Sequence, residues 1–448
     1  MTGSSPRRSL ITRLRPASFG ADPAGERLER IRQSPQYADG QFRNPVPTRT
    51  MLPGSAMPIL RTQLSRADRA GRSPVAPIPV HRPDTADWGQ PPASGLRLTW
   101  MGHASVLAEI DGHRVLFDPV WGERCSPFTF VGPRRLHPVP VPLTELARVD
   151  VVVISHDHYD HLDMPSIRAL ARTGTRFAVP LGVGADLEHW GVAAQQITEL
   201  DWHESTQVGA LTLTATPARH FCGRGLRGGM RTLWASWVVA GPDHRIFHSG
   251  DTGYFPGFAD IGAQYGPFDA TMIQIGAYSE FWPEIHMTPE EGLLTHADLS
   301  GGSPAGTLLP IHWGTFNLAP HPWAEPAERT VAAAREAGAK VAVPRPGAPF
   351  EPAADQTVDP WWRAVAVPPA HGWPSSTGTT AEPAMGGAFG SAPSPAAGSA
   401  PSPAAGSTAG AAAGSASEGF TTAPADGSAT GTASGSSAGP ATATAPSS

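Results

Sequence analysis

His156-Asp157-His158-Tyr159-Asp160-His161 places three imidazoles and three carboxylate-or-phenol neighbours in six residues, directly after the apolar run Val151-Val-Val-Ile154. A continuous β-branched run reads as a strand buried on both faces, so the polar hexapeptide is held at the end of a core strand. Burying so many costly groups there without a cation would leave several of them unpaired. Imidazole and carboxylate are good zinc donors, and a tight loop can aim 156 and 158 at one ion while 160 and 161 reach a second. Local ligands complete neither ion. A closed structural site would commonly use thiolates, but Cys125 and Cys222 are the only cysteines and form no local pair, so an open catalytic site is expected.

The missing donors should come from later strand ends. Three candidates follow or end apolar strands: His220 in Thr216-Pro-Ala-Arg-His220-Phe, Asp251 in His248-Ser-Gly-Asp251-Thr-Gly and His312 in Leu308-Leu-Pro-Ile-His312-Trp-Gly. Gly250 and Gly253 relieve backbone crowding, which suits Asp251 to approach two ions as a bridge.

Outward from this centre, Leu96 to Trp100, Ser105 to Ile110 and His113 to Phe117 read as a β-meander, with Asp111-Gly112 as a hairpin turn. Asp163 caps an expected helix from Met164 to Arg172, and Phe177 to Val179 is the next strand. Further strands are expected near 211 to 216, 232 to 240, 244 to 248, 269 to 275 and 307 to 311. Thr288, Pro289 and Glu291 form a capping box before one helix, and another runs from Glu325 to Glu336 and stops at Gly338. Mixed strands and helices suggest packed sheets covered by helices.

Of the 448 residues, 49 are Gly and 49 Pro, concentrated at the ends. Residues 1–25 read as a disordered start, 26–94 as an extended Pro-rich arm packed on the core, 95–366 as the folded domain and 367–448 as a disordered Ala/Gly/Ser/Pro-rich tail. A formal net charge of -6 supplies no basic field for nucleic acid, so no nucleic-acid partner is expected. Two cysteines and no apolar run long enough to span a membrane point to a cytoplasmic protein. Arg7-Arg8 could open an export signal, but Arg13 and Arg15 interrupt the apolar stretch that would follow.

The order His156-x-His158-x-Asp160-His161, then His220, Asp251 and His312, resembles the ligand series of the metallo-β-lactamase superfamily. That resemblance implies an α/β fold, a four-layer αβ/βα sandwich, carrying two zinc ions, with iron or manganese as an alternative at one site. It implies His156, His158 and His220 on one metal, Asp160, His161 and His312 on the other, and Asp251 bridging. Longer stretches are similar to the N-acylphosphatidylethanolamine-hydrolysing phospholipase D group, including Thr99-Trp-Met-Gly-His-Ala104, Ser126-Pro-Phe-Thr-Phe-Val-Gly-Pro-Arg-Arg135, Glu199-Leu-Asp-Trp202, Gly250-Asp-Thr-Gly-Tyr254, Gly266-Pro-Phe-Asp269, Ile275-Gly-Ala-Tyr278 and Ile311-His-Trp-Gly-Thr-Phe316. Ser34-Pro-Gln-Tyr-Ala-Asp-Gly-Gln-Phe-Arg-Asn-Pro45 resembles the bacterial members. The implied activity is phosphodiester hydrolysis of an N-acylphosphatidylethanolamine-like phospholipid by water activated between the metals, with Asp160, Asp251 and His286 as catalytic residues. Where the lipid enzyme has Gln-Tyr, this chain has Thr129-Phe130. Lactone or ester hydrolysis on the same metals is the alternative, and a metal-holding scaffold without turnover is the alternative of another class. Peripheral membrane contact and a homodimer are both compatible with this reading.

Other residues carry weaker signals. Phe130, Arg134, Arg135 and Tyr278 are candidate substrate contacts, the arginines because a guanidinium pair can hold a phosphate. Phe128, Phe281 and Trp282 could add to a greasy entrance. His103, His113 and His371 read as surface or satisfied core histidines, and Cys222 as packing. The stretch from Arg7 to Arg15 reads as a basic, unstructured start.

Overall fold

The computed structural model describes residues 16–65, 71–84, 88, 90–146, 148–225 and 229–368. The expected disordered tail from 369 onward, His371 and the basic stretch up to Arg15 lie outside these residues. In chain order the arm carries helix α1 (Glu26–Gln33), the two-residue strands β1 (Tyr37–Ala38) and β2 (Gln41–Phe42), and helix α2 (Ala56–Leu64). The first large sheet follows, with β3 (Leu96–Gly102), β4 (Ser105–Ile110), β5 (His113–Phe117) and β6 (Val151–Val153). Helix α3 (Met164–Ala171), β7 (Arg176–Pro180), helix α4 (Gly184–His189) and β8 (Ile197–Leu200) complete that run.

The second sheet contains β9 (Ser205–Val208), β10 (Leu211–Thr216), β11 (Ser236–Ala240), β12 (Arg245–His248), β13 (Ala270–Gln274), β14 (Thr307–Ile311) and β15 (Lys340–Val341). Helices α5 (Gly257–Tyr265), α6 (Pro289–Asp298) and α7 (Glu325–Ala337) are interleaved with it, and β16 (Pro349–Phe350) returns to the edge of the first sheet beside β3. Each sheet has seven strands, in the orders β16-β3-β4-β5-β6-β7-β8 and β15-β14-β13-β12-β11-β10-β9. In each, an antiparallel meander passes into a parallel tract, from β5 to β8 and from β12 to β15.

Period-2 alternation sorts the side chains into layers. Val106, Ala108 and Ile110 of β4 join the core shared with Leu213, Trp237 and Phe247 of the second sheet. Leu107 between them packs instead with Ile167, Leu170 and Leu187 of α3 and α4. Phe258, Leu293 and Ala334 place α5, α6 and α7 in the shared cluster with the second sheet. The result is the expected metallo-β-lactamase sandwich, with helices outside two sheets.

Local chemistry accounts for the junctions. Asp111 and Gly112 have φ of 47° and 80°, as a type I′ hairpin turn requires. Asp163 accepts from Ser166 N at the start of α3, and Thr288 with Glu291 forms the expected capping box of α6. Gly338 ends α7 in the left-handed region. The strand expected from 232 begins only at Ser236, because Leu233 N and Ala235 N donate to Leu181 O and Ser155 O of the first sheet's loops.

The arm is part of the packing. Ile31, Phe42 and Ile78 are buried in the shared core. Residues 16–25, expected to be loose, are also tied down: Trp190 Nε1 donates to Ala17 O at 2.7 Å, and Ala21 N donates to Asp186 Oδ1 at 2.8 Å. Hydrogen-bonding partners from distant positions override the weak local propensity of this Pro/Gly-rich start.

Candidate metal centre

Parallel strands end together, and their carboxyl ends are where loops gather into a site. The hexapeptide leaves β6 there, beside the end of β5, where Asp118 follows Phe117. Asp118 is buried and accepts from Ser155 N, Ser155 Oγ and His161 Nδ1, all at 2.7 Å. Its carboxylate thereby sets the ring of His161 and the start of the loop. Asp157 turns away from the other donors and accepts from Gly223 N at 2.7 Å and Thr232 Oγ1 at 2.9 Å. Arg224 donates to the carbonyls of Asp157 and Leu162 at 2.6 and 2.7 Å, and its guanidinium lies 4.0 Å from the ring centroid of Tyr159. The polar loop is therefore braced on both flanks.

The second sheet delivers His220 after β10, Asp251 after β12 and His312 after β14. Asn44 of the arm clamps the His220 peptide on both sides: its Nδ2 donates to His220 O at 2.8 Å, and its Oδ1 accepts from His220 N at 2.9 Å. His220 Nδ1 lies 2.9 Å from Ile285 O. Around Asp251 there is no room for larger residues, since a Cβ at Gly250 would stand 2.6 Å from Ser155 Cβ and one at Gly253 2.0 Å from Glu284 O.

All seven residues expected from the sequence converge, in two groups that share Asp251. In the first, His158 Nδ1 lies 2.8 Å from His156 Nε2 and 3.4 Å from His220 Nε2, while Asp251 Oδ2 lies 3.9 and 3.7 Å from the latter two. In the second, Asp160 Oδ2 is 3.3 Å from His312 Nε2 and 3.7 Å from His161 Nε2. Asp251 reaches these histidines as well, at 3.1 and 3.2 Å. Bonds of about 2.0–2.2 Å to one tetrahedral ion put neighbouring donors roughly 3.3–3.6 Å apart, so the spacing fits cation binding. His161 Nε2 and Asp251 Oδ1 are buried and make no hydrogen bond despite these close approaches, as lone pairs aimed at a common ion would be.

The electrostatics agree with that fit. Burial drives the imidazoles of His158 and His220 down, to about 4 and about 3, and holds them neutral with lone pairs available. Burial also opposes charge on Asp160 and Asp251, yet the neighbouring His161 outweighs it and both carboxyls stay well below their ordinary range. His161 is pushed well above its usual value, burial being outweighed by Asp251, Asp118 and Asp160. Excess buried anionic charge of this kind is what a metal cation neutralises.

A pocket of about 200 Å³ opens onto the two groups. His158, Asp160, Asp251, His286 and His312 form its polar part, with Met51, Phe221, Trp282, Ile285 and Leu318 among its apolar walls. His286 is thus at the centre, its Nδ1 4.0 Å from Asp251 Oδ2. The other candidate substrate contacts are not among the lining residues. Phe130 is 78% exposed, and Arg134 pairs with Glu123 at the surface. Arg135 is buried and donates to the carbonyls of Val120 and Gly122, so its guanidinium is committed to holding a turn. Tyr278 donates to Glu325 Oε1 at 2.5 Å, under the Arg329 guanidinium. Trp282 lines the pocket as expected for an entrance residue, whereas Phe128 and Phe281 do not.

Three residues escaped the sequence reading. Asp118 was detectable only as an acid closing an apolar strand in Phe117-Asp-Pro119. Asn44 lies in the arm stretch Ser34 to Pro45 that resembles the bacterial members, but nothing in that stretch marked it as a partner of His220. His103, read as a satisfied core histidine, is buried with Nε2 3.0 Å from Asp160 Oδ2, in a group with Asp160, His161 and His312. His113 and Cys222 behave as expected: the first accepts from Ala210 N at 3.3 Å, and the second is a buried thiol donating to Thr232 O.

Residues 113–313 match the model of the beta-lactamase superfamily domain. The chain is 50% identical over 350 residues to an uncharacterized protein of Mycobacterium tuberculosis, covering 78% of this chain and 92% of that protein. It is 37% identical over 253 residues to N-acyl-phosphatidylethanolamine-hydrolyzing phospholipase D 1 of Caenorhabditis elegans, covering 54% of this chain and 69% of the relative. Among solved structures, Igni18, a metallo hydrolase of Ignicoccus hospitalis, aligns with a TM-score of 0.44 at 24% identity, over 57% of this chain and 98% of that one. With its domain match and its well-covered relatives, the chain belongs to the metallo-β-lactamase superfamily and is a metal-dependent hydrolase.

Proposed function

We propose that the chain is a phosphodiesterase of the phospholipase D type, using two zinc ions on an N-acylphosphatidylethanolamine-like phospholipid. The observation that carries this reading is a pair of donor groups at the floor of an apolar-walled pocket, with Asp251 in the first and its carboxylate oxygens 3.2 and 3.1 Å from His161 and His312 of the second. The nematode relative's name, at 37% identity, supports the substrate class. His156, His158, His220 and Asp251 would hold one ion, and Asp160, His161, His312 and Asp251 the other. Two ions at such a site polarise a phosphoryl oxygen, lower the pKa of water and stabilise charge on attacking and leaving oxygens.

The chain's own residues orient and exclude. Met51, Phe221, Trp282 and Leu318 keep bulk water from the reacting phosphate and leave room for the headgroup, with acyl chains directed outward. Water oxygen forms the new bond to phosphorus, the bond to the N-acylethanolamine oxygen breaks, and one proton of that water ends on the released alcohol. His286, half-buried with its Nδ1 enclosed and its ring held neutral by desolvation, is placed to hold or move a proton through Nδ1, which makes no hydrogen bond of its own. Phosphatidate is the other product.

No described helix is long and apolar enough to cross a membrane. Met51 is half exposed beside the pocket, and Met57 and Leu60 of α2 are exposed near it in sequence, which supports peripheral contact with a lipid surface. Both cysteines are free and buried, in keeping with a cytoplasmic setting. The modest pocket volume also suits a compact lactone or ester, which keeps that hydrolysis as the second reading.

The test is metal content together with turnover of bis(p-nitrophenyl)phosphate and of N-acylphosphatidylethanolamine vesicles, before and after chelation. Two metals per chain, with both substrates cleaved only in the metal-loaded protein, is the expected result. Two metals with lactone cleavage and no phosphodiester cleavage would transfer the assignment to the second reading. Fewer than two metals would remove the dinuclear part.

A further inference from the structure

We propose that His103 is a positioning residue of the second donor group, holding Asp160 through its side chain and His312 through its main chain. The inference rests on the dinuclear reading above and adds a residue to it. His103 is 1% exposed, and its Nε2 stands 3.0 Å from Asp160 Oδ2, the oxygen that also faces His312 and His161. Its ring centroid lies 4.0 Å from that of His312 with the two planes tilted by 42°, and it meets the rings of His161 and Phe316 edge-on. Nδ1 makes no hydrogen bond. With the proton on Nε2, the unpaired atom is an acceptor lone pair, a lesser fault in a buried site than an unpaired N–H. That tautomer is also the one that donates to Asp160.

The backbone points the same way. His103 lies at φ 55°, in the left-handed region that few residues other than glycine occupy, and His312 lies at φ 65°. Three hydrogen bonds hold the strained peptide: His103 N donates to Thr315 Oγ1 at 2.7 Å, and its carbonyl accepts from Trp100 Nε1 at 2.7 Å and from His312 N at 2.9 Å. Strain that is so fully secured belongs to a residue whose direction matters. One residue at the end of β3 thus fixes a carboxylate from the first sheet's loop and an imidazole from the second sheet. Among the described residues its ring partners are His161, His312 and Phe316, none of them a histidine of the first donor group.

The test titrates metal-free full-length protein with Zn²⁺ by calorimetry, comparing wild type, His103→Phe and His103→Gln. Phenylalanine keeps a ring without a donor, and glutamine keeps an N–H near the position of Nε2. The expected result is a second binding event weakened about 10- to 100-fold by phenylalanine, an unchanged first event, and recovery of most of the loss by glutamine. An unchanged second event in His103→Phe would overturn the proposal, as would equal damage from glutamine. Equal weakening of both events with a lowered melting temperature of the metal-free variant would show a role in folding alone and would also overturn it. If wild type itself binds fewer than two ions, the dinuclear reading fails first, and the titration distinguishes that outcome from failure at His103.

Discussion

The two sheets contribute to one centre in different ways. The first delivers His156, His158, Asp160 and His161 on a single loop, braced by groups of the core itself: Asp118 and Ser155 beneath it and Arg224 across it. The second delivers His220, Asp251 and His312 from three separate strand ends, and its braces reach in from the arm. Asn44 clamps His220, while Thr48 and Arg49 engage Arg219 and Glu284 on either side of the same rim. The contiguous donor set is braced from other loops of the core, whereas the dispersed one depends here on the arm that crosses its strand ends. Asp251 belongs to both arrangements.

The largest effect is therefore expected at Asp251. Asp251→Ala should remove metal from both groups, and losing several kcal/mol of charge stabilisation predicts a fall in hydrolysis of about a thousandfold or more. Metal analysis and initial rates check this, and retention of one full equivalent of metal would show that the groups are less coupled than their shared carboxylate implies. Next, Arg224→Met should weaken the loop from the first sheet, because the carbonyls of Asp157 and Leu162 lose charged donors worth about 1.5–3 kcal/mol each when made. Urea denaturation of the metal-free protein would record the loss.

Asn44→Ala sharpens the contrast from the other side. It deletes two hydrogen bonds to the His220 peptide, about 1–3 kcal/mol in total, and should weaken metal at the first group while leaving the second intact. Calorimetric titration separates the two, and an unaltered first event would mean that the arm merely covers the rim. The smallest effect is expected at the exposed end of the arm's contact. Arg49 hydrogen bonds hold the Glu284 carboxyl below its ordinary value of 4.5. Because the folded value is depressed, the stabilisation is complete above 4.5 and is lost as pH falls through the depressed value. Glu284→Gln should cost less than about 1 kcal/mol at neutral pH, and its difference from wild type in urea should vanish well below pH 4.5.

This contrast also governs how much could be read without coordinates. The hexapeptide was legible because its donors are adjacent and its supporting strand is uniformly apolar. His220, Asp251 and His312 were legible only through an ordered pattern, since each alone is an ordinary polar residue after a strand. Arg134, Arg135 and Tyr278 show the limit: a guanidinium or phenol can face phosphate, solvent, a carboxylate or a carbonyl, and here the partners are Glu123, the carbonyls of Val120 and Gly122, and Glu325. Their local sequence is the same in every case.

The amino-acid sequence by itself determined the donor chemistry, the strand that carries it and the caps and turns of the elements around it, because these depend on residues close together along the chain. The tertiary structure alone decided that Asp118 orients His161, that His103 stands against Asp160 and that Asn44 grips His220. Those pairings join positions far apart in sequence. Their energy exists only after β3, β5 and β6 have taken their places in one sheet and the arm has crossed the rim of the other.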